Sequence, residues 1–355
     1  MQTERFLYEV SQLPIFQNRV YEMESEAIDC PKGDIRLVEN LETGLVYNAA
    51  FESKLMVYDN DYQNEQAFSP MFREHLVDVA EIIKVTIGPK SLVEVGCGKG
   101  TFLEMLLAAD FDIVGFDPTY EGSNPRITRQ YFDPSIGIEA KGLVLRHVLE
   151  HIQDPFSFLL SMRDANCGGG LVYIEVPCFD WICKHRAWFD VFYEHVNYFR
   201  LSDFEGMFTN ILKSGHVFGG QYIYVVADLA SLVPSKYRSD DQVDFPLDFV
   251  RAMNNYEAPY RTEKNKTAVW GGSSKGVIFT LLKSRLGQRV DAVIDINPAK
   301  QGKYLPGSGL LVESPQVAIN ALPSGSTMYV MNSNYLNEIK KMSGNKFNYM
   351  SIDNE

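Results

Sequence analysis

The sequence is short of cysteine. Five residues, Cys30, Cys97, Cys167, Cys178 and Cys183, are scattered through 355 positions and odd in number. None of their spacings makes a CxxC, so neither a disulfide framework nor a structural zinc is expected, and a reducing compartment suits them best. Long apolar runs are also missing: none reaches the roughly 20 residues that cross a bilayer. Met1-Gln2-Thr3-Glu4-Arg5 opens no secretory signal, so a cytoplasmic protein with no membrane partner is expected. Basic charge is scarce. Lys and Arg total 33 against 46 Asp and Glu, a net charge of -13, which argues against a nucleic-acid backbone as partner. An acidic balance still leaves room for a local basic pocket around a phosphorylated small molecule.

What is present is an ordinary globular composition, 45% hydrophobic and 22% charged, in a chain long enough for more than one core. The stretch that organises it is Ser91-Leu92-Val93-Glu94-Val95-Gly96-Cys97-Gly98-Lys99-Gly100-Thr101-Phe102-Leu103. An apolar run enters a glycine loop and an amphipathic run follows, which reads as a strand, a tight turn and a helix start. In a doubly wound sheet such a turn places the ligand at the strand's carboxyl end, against the helix N-terminus. A dinucleotide turn takes the form G-x-G-x-x-G. Here the glycines are Gly96, Gly98 and Gly100, closer together, and Glu94 precedes them. A carboxylate there would repel a pyrophosphate but suits the cationic methionine end of S-adenosylmethionine (SAM). Asp117 ends the next apolar run, where an acid can take ribose hydroxyls.

Along the chain, 34–38 and 44–48 read as two strands of a small sheet joined by a turn at 39–43. The polar segment 58–66 has no core period, and its Tyr58 and Tyr62 are candidates to hydrogen-bond a sugar over a pocket. Apolar residues at helical spacing predict a helix over 72–87. Strands are expected at 143–145, 171–177 and 221–226, and a helix over 152–165. After a polar break at 235–244, residues 245–264 read as one helix interrupted near Pro259. A second strand, glycine turn and helix start then appear at Ala268-Val269-Trp270-Gly271-Gly272-Ser273-Ser274-Lys275-Gly276. Strands at 290–296 and 327–331 complete a second, smaller α/β unit. The division expected is 1–70, a substrate-covering region; 71–232, the SAM-binding unit; and 240–355, a second Rossmann-like unit.

Two segments carry the candidate chemistry. Arg146-His147-Val148-Leu149-Glu150-His151 follows the fourth strand, with His147 nearest the strand tip and His151 expected to cap or pack. Trp188-Phe189-Asp190-Val191-Phe192-Tyr193-Glu194-His195-Val196-Asn197-Tyr198-Phe199 is dense in aromatics around a Tyr-Glu-His triplet. Such a triplet can hold a base near neutrality, and a histidine base serves either a hydroxyl or a carbon acid next to a ketone.

These motifs together resemble those of SAM-dependent sugar C-methyltransferases from deoxysugar pathways. The first glycine turn, Arg146 to His151 and Tyr193-Glu194-His195 resemble that family's cofactor and base motifs. The second glycine turn and Asp295-Ile296-Asn297-Pro298-Ala299-Lys300-Gln301-Gly302-Lys303-Tyr304 resemble its C-terminal domain, so the likeness covers most of the chain. It implies a class I SAM methyltransferase Rossmann-like core with a small N-terminal β-containing region and a second α/β domain. It further implies a nucleotide-linked keto-sugar that loses a proton beside its carbonyl and takes the methyl, with His195 as base. Tyr193, Glu194 and His147 would line the same pocket. Glu94, Gly96, Cys97, Gly98, Gly100, Asp117, Phe132 and Arg146 are the cofactor residues expected; Lys275, with Tyr58 and Tyr62, would meet the substrate. The family usually opens with a four-cysteine zinc module, and this chain has only Cys30 there, so no metal is expected. The departure leaves the acceptor open between carbon, oxygen and nitrogen. Two rival readings are a SAM-binding protein without catalysis and, through the second glycine turn, an NAD-dependent oxidoreductase.

Overall fold

The computed structural model describes residues 3–56, 65–249 and 265–353. Tyr58, Tyr62 and all of the expected 245–264 helix beyond residue 249 lie outside them; residues 245–249 themselves form coil and a turn.

Three sheets make up the fold. The central one has seven strands in the order Ile211–Val217, Tyr222–Asp228, Leu171–Pro177, Gly142–Arg146, Leu92–Val95, Ile113–Phe116 and Ile127–Thr128. The last five run parallel, whereas Tyr222–Asp228 is antiparallel to both its neighbours. Leu92–Val95 is buried along its whole length, as a parallel strand covered on both faces must be. The chain leaves it for one side of the sheet and returns on the other at Gly142–Arg146. The crevice between these two carboxyl ends is therefore the switch point where ligands bind.

The C-terminal sheet repeats the plan with five parallel strands, in the order Val312–Glu313, Ala292–Ile294, Thr267–Trp270, Thr327–Val330 and Asn348–Ser351. Its own switch point lies between Thr267–Trp270 and Thr327–Val330. The N-terminal sheet is antiparallel: Glu4–Pro14, Lys32–Asn40, Val46–Asn48 and Asn197–Tyr198. Two of these strands were expected. The long Glu4–Pro14 strand was not, because its register against Lys32–Asn40 shifts twice and breaks the alternation a reader would look for.

Local chemistry sets the helix limits. Ser69 caps the helix Pro70–Thr86 by accepting from the Phe72 amide, and Phe72, His75, Leu76, Val79 and Ile83 form its buried stripe. The expected 152–165 helix begins only at Pro155. Asp154 caps it there and proline's fixed φ suits the first helical position. Residues 211–217, for which no element was expected, form an outer strand.

Residues 179–199 thread between the three sheets. Trp188 stacks on Phe279 of the C-terminal unit at 5.6 Å, and the Tyr193 ring fills the space over Gly33 in the N-terminal sheet. Leu37, Val93, Phe189 and Val293, drawn from all three units, share one apolar core. A segment wedged in this way holds its polar residues rigidly at the mouth of the central crevice.

Candidate functional site

A cavity of about 350 Å³ opens at the central switch point and continues to the second one. That size suits a small-molecule site.

Its floor is the first glycine turn. Gly96, Gly98 and Gly100 all have left-handed backbones, with φ of 72°, 53° and 81°, and a Cβ on Gly96 would stand 2.7 Å from Val148. Only glycine tolerates both demands. Gly98 has open space where a side chain would project. Its amide donates to Asp117 Oδ2 at 2.8 Å, while Asp117 Oδ1 accepts from the Thr119 amide and hydroxyl. Glu94 is buried, and its Oε2 has no hydrogen-bond partner among the described residues. Burial lifts its carboxyl to about 8 against the pull of Arg146, and Asp117 adds to the rise. A buried carboxyl facing a cavity, with an oxygen that no hydrogen bond satisfies among the described residues, is what the cationic end of SAM would complete. Cys97 lies beside it with its thiol pushed up by burial and the neighbouring acids, so it acts as a small apolar group.

One wall is a buried ionic web around Glu175. Its Oε1 faces His75 Nε2 at 3.0 Å, Arg146 Nη2 at 3.2 Å and His147 Nε2 at 3.2 Å, and its Oε2 accepts from Tyr173 at 2.6 Å. Burial opposes ionisation, but Arg146 and the two histidines hold Glu175 well below the usual carboxylate range. His147 sits at φ 52°, with Nδ1 3.2 Å from Glu150 Oε1. Burial works against its proton, yet the bonds and charges of Glu150 and Glu175 raise it to about 9. The structure thus corrects the reading of His147 as a catalytic group. It lines the cavity as an imidazolium with a carboxylate against each ring nitrogen, and no lone pair remains for a substrate proton. Arg146 lies over the Phe102 ring and takes part in the same web.

The opposite wall carries His195 and His151. His195 is buried against Phe192, its ring centroid 5.1 Å from that of His151. Burial first, and then the charges of His151, His147 and Lys275, keep His195 far below the ordinary histidine value, so it carries a lone pair at neutral pH. His151 Nδ1 bonds the Glu194 carbonyl at 2.8 Å. A carbonyl only accepts, so that nitrogen holds the proton and Nε2 is left basic. His151, expected to cap or pack, lines the cavity because Leu149–His151 is a 3₁₀ turn rather than part of the following helix.

Of the Tyr-Glu-His triplet only His195 reaches the cavity. Tyr193 Oη accepts from the Glu52 amide at 2.9 Å, and Glu194 Oε2 accepts from the Gln17 amide at 2.8 Å. Both tie the N-terminal region to this loop and set the position of His195 from behind, a correction to their reading as pocket residues. Phe132 is corrected as well: it is core, packed on Phe116 at 5.3 Å.

The far end of the cavity is the second glycine turn. Gly276 permits no side chain, since a Cβ would lie 1.8 Å from the Gly271 carbonyl. Gly272 donates to Asp295 Oδ2 at 2.8 Å. The buried Lys300 ammonium donates to Ser273 Oγ at 2.6 Å and to Asn18 Oδ1 at 3.3 Å. Lys275 lines the cavity, where it pairs with Asp190 at 3.0 Å, donates to Gln221 Oε1 and lies over the Trp181 ring. Asn18 and Lys300 escaped the sequence reading; neither belongs to a periodic element, and only the Asp295-to-Lys303 run hinted at the latter.

Residues 67–211 match the family model described as Methyltransferase domain. A C-methyltransferase of Streptomyces niveus, NovU, is 24% identical over 286 residues, covering 70% of this chain and 68% of NovU. Among solved structures, a SAM dependent methyltransferase from Archaeoglobus fulgidus aligns with a TM-score of 0.32 and 13% identity, over 44% of this chain and 93% of its own. A magnesium protoporphyrin IX methyltransferase from Synechocystis PCC 6803 with bound SAH gives 0.33 and 12%, over 44% and 82%. The central unit, a Rossmann-like methyltransferase fold, is a methyltransferase domain, and its cofactor is SAM.

Proposed function

We propose that the chain transfers the SAM methyl group to a nucleotide-linked sugar, with His195 as the base that frees the accepting carbon or oxygen. One observation carries the reading: a single cavity joins the acid-floored first turn to the second, lysine-backed turn, and a neutral histidine stands between them. The cofactor supplies an electrophilic methyl on a sulfonium, already a good leaving group. What remains for this chain is to deprotonate the acceptor and hold it in line.

In this division of labour Glu94, Gly98 and Asp117 hold the cofactor within 71–232. Lys275, Ser273 and Asp295 take the nucleotide within 240–355, and the N-terminal region 1–70 covers the acceptor. Tyr193 and Glu194 keep the His195 ring in place through their bonds to Glu52 and Gln17 of the N-terminal region. The name C-methyltransferase borne by NovU agrees with a carbon acceptor.

The test is release of S-adenosylhomocysteine from SAM across a panel of nucleotide sugars. Turnover on at least one is expected, falling roughly 10²–10⁴-fold in His195→Ala while S-adenosylhomocysteine still binds within about threefold. The acid limb of kcat/KM should lie below that of an ordinary histidine, because protonation of His195 is delayed to low pH. Full turnover in His195→Ala would refute the base assignment, and no product from any member of the panel would refute the substrate class.

A further inference from the structure

Glu150, His151 and His195 meet at the cavity wall, and their ligand-capable atoms all lie within 4.8 Å of one another. We propose that these three side chains form a binding site for a single divalent cation of the zinc class. Two imidazoles and a carboxylate are a donor set that suits zinc and cobalt, with a fourth position left for the cavity. Ligand atoms in a tetrahedral zinc site stand about 3.3 Å apart, given bonds of about 2.0–2.2 Å, so modest side-chain rotation closes this cluster on an ion.

The surroundings prepare each donor. Glu150 is 1% exposed, and its Oε2 has no hydrogen-bond partner among the described residues, while Oε1 is held by His147. His151 spends its Nδ1 proton on the Glu194 carbonyl, which turns its Nε2 lone pair out as a ligand. A backbone carbonyl on the other ring nitrogen is the usual outer partner of a metal-bound histidine. The expectation of no metal rested on cysteine spacing and did not concern this wall.

The binding claim stands on the three side chains alone. Its consequence rests on the function proposed above: one lone pair on His195 cannot serve a metal and a substrate proton together, so a bound ion would silence the base.

The test is calorimetric titration of the full chain, freed of metal by a chelator, with Zn²⁺, alongside the visible absorption of Co²⁺ added in its place. One equivalent of Zn²⁺ should bind the wild type, with Co²⁺ giving the intense bands of a tetrahedral site. Affinity should fall at least tenfold in His151→Ala and His195→Ala and stay unchanged in His216→Ala, an exposed histidine on the outer strand. Thermal unfolding of each metal-free variant checks its fold. Binding of less than one equivalent by the wild type would overturn the proposal whatever the variants do. So would binding that survives both cavity substitutions, or that disappears with His216. Turnover is not read in any of these, so failure of the metal site and failure of the base assignment are separate results.

Discussion

The two glycine turns of this chain share a frame and differ in charge. Each follows the first strand of a parallel sheet, and each faces an aspartate at the end of the next strand. Asp117 Oδ2 accepts from the Gly98 amide and Asp295 Oδ2 from the Gly272 amide, both at 2.8 Å, and each Oδ1 accepts from the amide two residues on. What lies beneath the loops is opposite. Two residues before Gly96 stands the buried carboxyl of Glu94; two before Gly271 stands apolar Val269. Under the second loop lie the Lys300 ammonium and, at the helix start, Lys275. Lys99 on the first loop is exposed and also lines the cavity, so the contrast lies in the buried groups alone. A turn that exposes helix N–H groups favours anions by default. A buried acid cancels that preference for a cationic ligand, and a buried base strengthens it. Under the proposed function the same scaffold would take a sulfonium at one end of the cavity and phosphates at the other.

The second turn offers the larger expected effect. Lys275→Met removes the cation proposed to meet the substrate and breaks its ion pair with Asp190. Substrate KM should rise about 10–100-fold and thermal stability should fall, as loss of one member of a partly buried pair costs a few kcal/mol, while S-adenosylhomocysteine affinity stays constant in calorimetry. An equal loss for both ligands would break the comparison.

Glu94 gives the smaller effect and a pH signature. Its folded value of about 8 exceeds the 4.5 of an ordinary glutamate. Folding therefore takes up a proton between these values, and the destabilisation that Glu94 contributes grows as pH rises through that window. Glu94→Gln should raise the Tm at pH 8 relative to wild type and bring the two together near pH 4.5. SAM needs the ionised form, so wild-type affinity should climb with pH up to about 8, whereas the variant should bind about tenfold more weakly with a flat profile. A sloping profile in Glu94→Gln would assign the proton elsewhere.

Much of this was legible where the chemistry is local. Gly96, Gly98 and Gly100 announce a turn because no other residue takes three left-handed conformations in five positions. Glu94 and Asp117 announce the ligand's charge because strands place them at their ends. Orientation was illegible in the irregular segment 188–199, where no period says which of Tyr193, Glu194 and His195 faces inward. The N-terminal region, distant in sequence, decides it: the Glu52 and Gln17 amides, both outside its strands, bond Tyr193 and Glu194. The charge of His147 was half hidden for a similar reason: Glu150, three residues on, sets it together with Glu175 on the neighbouring strand. Phe132, expected as a cofactor contact, packs instead on the Phe116 ring in the core. The metal-ligand cluster needed a 3₁₀ turn at Leu149–His151 to swing His151 toward His195, which spacing alone does not reveal.

The central claim is that the two turns hold two different ligands. It is tested most directly by titrating S-adenosylhomocysteine and a panel of nucleoside diphosphates into the wild type, Asp117→Ala and Asp295→Ala. The account predicts that Asp117→Ala loses S-adenosylhomocysteine and keeps the nucleotide, and that Asp295→Ala does the reverse. Loss of both ligands in either folded variant, or no nucleotide binding by the wild type, would contradict it.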